Sequence, residues 1–197
     1  VVEGPKAGGH LGFKADALQD VGNKLENLVD EVVKVAQEIK EKFNVEIPVI
    51  AAGGIFTGKD IKAIMQHGAS AVQLGTRFAA TEECDASEEF KQAIVDANTE
   101  DIQIIKSPVG MPGRSIFNKF LQEASDGKRR PAFCKNNCLR SCNPKTTLYC
   151  ISDALLAACK GNLKDGFAFV GSNAGRINKI STVKEIFTEL QDEYNKA

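Results

Sequence analysis

The sequence lacks any excess of positive charge. It carries 25 Lys and Arg residues against 26 Asp and Glu residues in a chain of 197, which gives a formal net charge of −1. Proteins that bind a nucleic-acid backbone neutralise its phosphates with a surplus of Lys and Arg. We therefore do not expect nucleic acid to be a partner.

Long hydrophobic runs and a leader segment are also absent. No apolar run approaches the roughly 20 residues that cross a bilayer, and the opening VVEGPKAGGH has no basic segment followed by an apolar one. We expect a protein that is neither membrane-bound nor secreted. There is no initiator Met, and β-branched residues run directly into a glycine-rich loop, as at the end of a buried strand. We expect a piece of a longer protein.

Internal repeats and CxxC pairs are missing as well, although the chain has six cysteines. Disulfide frameworks belong to short secreted domains that cannot build a core, and this chain is 43% hydrophobic. A reducing, cytoplasmic setting is therefore expected.

The pattern that is present predicts an α/β fold. Apolar residues recur at steps of three and four from Val21 to Phe43, which is typical of a long amphipathic helix. Continuous apolar runs at Ile47–Ile55 and Ser70–Phe78 predict strands buried on both faces, and Asp60–His67 between them predicts a helix. This is the alternation of a βα repeat, in which a barrel and an open sheet both remain open.

The chain changes character after Thr81. We divide it into residues 1–82, which carry the βα pattern, and 83–197, which is predicted to be mostly helical. Four helices are predicted there: Ser87–Asn98, Arg114–Ser125, Ile151–Cys159 and Val183–Leu190.

Small residues end the last two predicted strands. Gly53 and Gly54 close one, and Gly75 and Thr76 close the next. Backbone without Cβ atoms lets a ligand approach closely, and N–H groups at a helix start attract anions. A phosphate site is predicted at this edge, and the alternative is that the glycines only permit tight turns.

A histidine, His10, follows the first predicted strand end in AGGHLG, on the same face as these glycines. Its near-neutral pKa suits a general base or a hydrogen-bond donor beside a cofactor. Local packing explains it equally well.

Four segments together resemble the nitronate monooxygenase family, formerly called 2-nitropropane dioxygenase, which is similar to FMN-dependent enoyl-acyl-carrier-protein reductase II. They span Val1 to Arg114 and are EGPKAGGHLG, IPVIAAGGI, AVQLGTRF and SPVGMPGR. The resemblance implies a (β/α)8 TIM barrel carrying FMN, of which this chain supplies the last three strands plus a helical C-terminal region. It also implies that His10 is the catalytic histidine, whereas Lys6 stands where the family often has Glu.

The resemblance further implies a set of cofactor-binding residues. The phosphate would be held by the four small residues at the strand ends, and other residues would lie beside the cofactor. The full set is Glu3, Gly8, Gly9, Gly53, Gly54, Gln73, Leu74, Gly75 and Thr76.

Three functions are open on this basis. The first is oxidation of alkyl nitronates by molecular oxygen, and the second is NAD(P)H-dependent reduction of an enoyl thioester on the same fold. The third is a non-catalytic flavin- or metal-binding fragment, because three strands cannot close a barrel and their open edges promote association, for example into a homo-oligomer.

Four cysteines form a separate cluster in the sequence. They have three, three and seven residues between them, which supplies enough ligands for zinc or an iron–sulfur cluster without matching the common spacings. The alternative is reduced cysteines that pack as small apolar side chains. The four residues are Cys134, Cys138, Cys142 and Cys150.

Overall fold

The computed structural model describes residues 1–131, 134, 138–140 and 142–197. The strands are β1 (Val2–Glu3), β2 (Gly9–His10), β3 (Ile50–Ala52), β4 (Ala71–Gln73), β5 (Ile102–Lys106) and β6 (Pro112–Ile116). The helices are α1 (Leu25–Phe43), α2 (Gly58–Gln66), α3 (Thr76–Ala79), α4 (Glu88–Asp96), α5 (Lys119–Ser125), α6 (Ile151–Cys159) and α7 (Val183–Lys196).

A parallel sheet with strand order β1–β3–β4 positions the site. Glu3 pairs with Ala52, and Ala52 pairs with Gln73, so the last residues of the three strands stand side by side. Helices α1 and α2 connect the strands in turn, as parallel pairing requires. The α/β prediction is confirmed, and the loops after all three strands lie at one edge.

Apolar contacts explain how α1 packs, and a capping box explains where α2 begins. Helix α1 turns Val29 into a core that includes Ala51 and Ile64, where all three side chains are buried. Helix α2 begins with a capping box, in which the Thr57 hydroxyl accepts from the Asp60 N–H and the Asp60 carboxylate accepts from the Thr57 N–H. These contacts hold both helices against the sheet.

The predicted strand Ser70–Phe78 is too long. Strand β4 ends at Gln73, and residues from Thr76 onward are helical, with Gly75 at the start of α3. The apolar run continues through the turn because Phe78 packs against Phe187 of α7, at 5.6 Å between ring centroids. A helix and a strand can share one unbroken apolar run, which is why periodicity missed the change. The expectation that this strand is buried on both faces is also wrong, because Ala71 and Gln73 of β4 are exposed.

The predicted helix Arg114–Ser125 is wrong in its first part. Residues up to Ile116 form β6, which pairs antiparallel with β5, and the helix begins only at Lys119. The side chain of Asn118 caps that helix by accepting from the Leu121 N–H. Residues 107–111 are therefore the connection of a β-hairpin whose second strand begins at Pro112, so the region after residue 82 contains a β-hairpin in addition to its helices.

The second sheet joins the two halves of the chain. Its strand order is β2–β6–β5, and His10 of β2 pairs with Gly113 of β6. The hairpin thus lies directly beside the first glycine-rich loop. Within the described ranges, no helix is long and apolar enough to cross a membrane.

Candidate functional site

A pocket of about 390 Å³ opens at the edge where the three parallel strands end. The register described above brings together loops that are far apart in sequence. Every residue that the sequence analysis assigned to a cofactor lines this pocket: Glu3, Gly8, Gly9, Gly53, Gly54, Gln73, Leu74, Gly75 and Thr76. Their roles remain predictions, but they share one site.

The glycines of the pocket are of two kinds. Gly53 and Gly54 have φ of +92° and +88°, and a Cβ on Gly53 would lie 2.9 Å from the Gly4 carbonyl oxygen. This pair is required by the turn itself. A Cβ on Gly9 or Gly75 would meet nothing within 4 Å. At Gly75, where φ is −113°, the turn does not demand glycine, and a side chain would project into open space.

One wall of the pocket comes from a segment that the sequence analysis did not assign. Residues 169–173 form part of the pocket wall and hydrogen-bond to the glycine-rich loops. The Gly171 N–H donates to the Thr76 hydroxyl at 2.8 Å, and the Asn173 side-chain amide donates to the Gly54 carbonyl at 2.7 Å. The only sequence signal was the small-residue stretch GSNAG after the apolar run FAFV.

The hydroxyl of Ser172 is a buried polar group at this pocket. It has no hydrogen-bond partner among the described residues, although the Ser172 N–H donates to the Lys6 carbonyl at 3.1 Å. A buried hydroxyl without a partner costs free energy unless a ligand satisfies it. The pocket therefore fits a polar ligand such as the phosphate or ribityl chain of FMN.

Two cationic side chains line the pocket, and one of them is buried whereas the other is exposed. Arg77 is buried, and its guanidinium donates to the Phe56 carbonyl at 2.9 Å and to the Glu189 carboxylate at 2.6 Å. Its donors hold helix α7 against the loop after β3. Lys6 lines the pocket and is exposed. Lys6 is thus the residue placed to set the charge felt by an anionic ligand.

A buried arginine holds the loop after β1 in place. Arg114 of β6 donates to the carbonyl oxygens of Pro5 and Ala7, at 2.7 and 2.5 Å. Burial lowers the pKa of its guanidinium. Hydrogen bonds from a charged donor are among the stronger ones in proteins, so the backbone that leads into Gly8 is fixed from the second sheet. In the sequence, Arg114 stood only at the end of a motif and at the start of a predicted helix, and neither indicated this anchoring role.

His10 lies beside the pocket rather than in its wall. Its neighbour Gly9 and the ring of Phe169 line the pocket, and the imidazole packs edge-on against Phe169 at 4.9 Å between ring centroids. The His10 Nε2 atom is 2.7 Å from the hydroxyl oxygen of Ser107. Burial lowers the pKa of His10 below its ordinary value, so the neutral imidazole is the form present at neutral pH.

The other histidine has a structural partner. His67 ends α2, and its Nδ1 atom is 2.9 Å from the Asp30 carboxylate of α1. This contact agrees with the absence of any functional assignment for His67.

The cysteine cluster lines a second, smaller pocket of about 60 Å³. Its walls include Pro108, Pro131 and Ile151 as well as the four thiols, Cys134, Cys138, Cys142 and Cys150. Among the residues that the structure describes, no group of three or more His, Cys, Asp or Glu side chains is arranged to hold a metal ion. The predicted zinc or iron–sulfur site is therefore not supported.

Comparisons with known proteins agree with this geometry. The family model for nitronate monooxygenase matches residues 1–193. A probable nitronate monooxygenase of Staphylococcus aureus (strain Newman) is 38% identical over 128 residues, which cover 64% of this chain and 33% of that protein. One from Staphylococcus saprophyticus is 33% identical over 126 residues, which cover 64% of this chain and 34% of that protein.

Solved structures are similar to this chain over nearly its whole length. FabK from Thermotoga maritima has a TM-score of 0.70 and 30% identity, covering 98% of this chain and 53% of that one. Nitroalkane oxidase from Streptomyces ansochromogenes has a TM-score of 0.68 and 27% identity, covering 99% and 51%. The chain thus spans about half the length of these structures and about a third of the curated relatives.

Proposed function

Because the chain belongs to the nitronate monooxygenase family, we propose that it forms part of an FMN-dependent oxidoreductase that oxidises alkyl nitronates with molecular oxygen. The observation that carries the proposal is the convergence of three strand ends and the segment 169–173 on one pocket. The Ser172 hydroxyl, which has no partner among the described residues, and the open space at Gly75 suit a phosphorylated cofactor.

We propose that the parallel sheet is part of a (β/α)8 barrel. Strands β1 and β4 each have a single partner strand in the described sheet, so each has an open edge. Closing a barrel satisfies such edges, and a complete barrel needs roughly 250 residues. On this proposal, β1, β3 and β4 are the last three barrel strands, and the phosphate lies at the loops after the final two.

Bound FMN supplies the electron-accepting chemistry in this proposal. The protein's own residues would bind and orient it, with Gly53, Gly54, Gly75 and Thr76 holding the phosphate. His10 acts at the substrate, where it takes the α-proton from a neutral nitroalkane or donates a hydrogen bond to nitronate oxygens. Since Ser107 engages Nε2, the ring nitrogen left for the substrate is Nδ1.

The function is tested by the absorption spectrum and turnover of the longest native form of the protein. We expect flavin bands in the purified protein and oxygen consumption with an alkyl nitronate. A colourless protein that also fails to take up added FMN would exclude the proposal.

The similarity to FabK favours a second candidate, an NAD(P)H-dependent enoyl-thioester reductase on the same fold. The pocket residues serve FMN equally in both cases. Mixing the flavin-loaded protein with NADH or NADPH without oxygen separates the two. Rapid bleaching of the flavin by either nucleotide supports the reductase, and bleaching only by nitronate supports the monooxygenase.

Reversing the charge of Lys6 is expected to weaken FMN binding by about tenfold at low ionic strength. The exposed ammonium is screened by water, so its contribution to an anionic ligand is modest and falls with added salt. Fluorescence titration of the apoprotein with FMN measures the dissociation constant for Lys6→Glu. Lys14→Glu is the matched control, because Lys14 is also exposed and does not line the pocket. Equal affinities in the two variants would contradict the assignment.

A further inference from the structure

Three consecutive residues, 171–173, make one hydrogen bond to each of the three loops that follow the parallel strands. The backbone N–H of the second residue donates to the Lys6 carbonyl after β1, at 3.1 Å. The side-chain amide of Asn173 donates to the Gly54 carbonyl after β3, at 2.7 Å. The first residue donates its N–H to the Thr76 hydroxyl after β4, at 2.8 Å. Residues 171–173, which we call the linking tripeptide, therefore fix the three loops relative to one another.

The linking tripeptide is itself held in place by packing. Val170 and Ala174 flank it, are each 1% exposed, and belong to one apolar core cluster. Gly8 leaves the space that this segment occupies, since a Cβ on Gly8 would lie 2.5 Å from the nitrogen of Gly171. The side-chain amide of Asn173 is therefore presented from a backbone that is anchored on both sides.

The bond from Asn173 acts on a peptide group whose orientation the glycine before it leaves open. Gly54 has φ of +88°, and glycine adopts positive and negative φ about equally well. In a planar trans peptide, the C=O and the N–H of the next residue point in opposite directions. Because Asn173 holds the Gly54 oxygen, the direction of the Ile55 N–H is fixed as well. Ile55 lines the pocket, and its N–H has no acceptor among the residues that the structure describes.

The loop after β4 offers further donors at the same pocket. The N–H groups of Gly75 and Thr76 also have no acceptor in the described part of the chain. The Thr76 hydroxyl accepts from the linking tripeptide, so its own proton remains for a ligand. Phosphate oxygens accept hydrogen bonds and are repelled by a carbonyl oxygen that faces them. The orientation of the peptide 54–55 therefore determines whether the loop after β3 presents a donor or an acceptor to a phosphate.

We propose that Asn173 is a positioning residue for the cofactor phosphate, because it holds the peptide 54–55 with its N–H, rather than its carbonyl, toward that phosphate. This inference rests on the proposed FMN site. It assigns a role in cofactor binding to a side chain that lies 119 positions from the glycine it holds.

The first test uses the longest native form of the protein, free of flavin and labelled with ¹⁵N-isoleucine. Ile55→Val identifies the Ile55 amide signal by its loss. We expect one sharp ¹H–¹⁵N signal for Ile55 in the wild type. In Asn173→Ala we expect a broadened or doubled signal, because the released peptide samples both orientations. Asn173→Asp keeps the shape of the side chain and removes its donor, so it should give the same result.

The other isoleucine signals report whether each variant keeps the wild-type fold. Asn23→Ala is the matched control, because the Asn23 amide also donates to a backbone carbonyl, that of Ala17 at 2.9 Å, and does not line the pocket. It should leave the Ile55 signal unchanged. A single, unshifted Ile55 signal in both Asn173 variants would overturn the inference.

Flavin affinity gives a second readout. Riboflavin has the same ring system and ribityl chain as FMN and lacks the phosphate. In fluorescence titrations of the apoprotein, we expect Asn173→Ala to weaken FMN binding about tenfold, the effect of losing one hydrogen bond, and to leave riboflavin binding unchanged. Equal weakening of both flavins would overturn the inference. A protein that binds neither flavin would refute the proposed function, and the Ile55 signal would still test the positioning of the peptide by Asn173.

Discussion

Replacing His10 with alanine is expected to lower kcat/KM for a neutral nitroalkane by about 10²–10⁴-fold, the usual contribution of a general base. Activity on the preformed nitronate should fall far less, because that substrate has already lost its α-proton. Steady-state oxygen consumption with both substrates measures the difference. The position of His10 supports this expectation, since its ring contacts Phe169 at the pocket wall and its Nε2 atom is held by Ser107.

His67→Ala is the control for removal of a histidine. His67 contacts Asp30 at the surface and does not line the pocket, so both activities should stay near wild type. Equal loss on the two substrates in His10→Ala would refute the base assignment and leave His10 as a binding group.

The pH dependence of the same reaction follows from the environment of His10. Burial lowers its pKa below the ordinary value of 6.5. Since only the neutral imidazole accepts a proton, kcat/KM for a nitroalkane should be constant near neutrality and fall as the pH decreases through that lowered pKa. A pH–rate profile measures the acid limb, with substrate ionisation measured separately. An acid limb above pH 7, or the same limb in His10→Ala, would contradict the prediction.

Substituting valine for Gly75 is expected to weaken FMN binding by about 100-fold or more. The new side chain would project into open space at the proposed phosphate position, displacing the ligand from charge-assisted hydrogen bonds that are each worth about 1.5–3 kcal/mol. Backbone strain is not expected, because Gly75 has φ of −113°. Flavin content after purification and fluorescence titration of the apoprotein measure the loss.

Gly12→Val is a matched control for this substitution. A Cβ on Gly12 also meets nothing within 4 Å, its φ lies outside the left-handed region, and the residue is exposed away from the pocket. Both variants should keep the secondary structure of the wild type by circular dichroism. Undiminished FMN binding in a folded Gly75→Val protein would show that the phosphate lies elsewhere.

Local sequence patterns predicted several elements because the responsible interactions are themselves local. The predicted helix from Ser87 is present as α4, where the Ser87 hydroxyl caps it by accepting from the Phe90 N–H, and α6 has the predicted bounds. The β-hairpin was missed because Arg114 and Ser115, polar residues that resemble a helix start, are buried in a sheet by partners distant in sequence.

The sequence by itself determined the α/β class, the positions of the glycine-rich strand ends and the family to which the chain belongs. Parallel strands place their carboxyl ends at one edge, so a linear reading was enough to group Gly53, Gly54, Gly75 and Thr76. Only the tertiary structure decided which other residues complete the site. Ser107 reaches His10 across 97 positions, and Asn173 reaches Gly54 across 119. Such contacts depend on how the two sheets pack together, and local propensity and hydrophobic periodicity do not predict that packing.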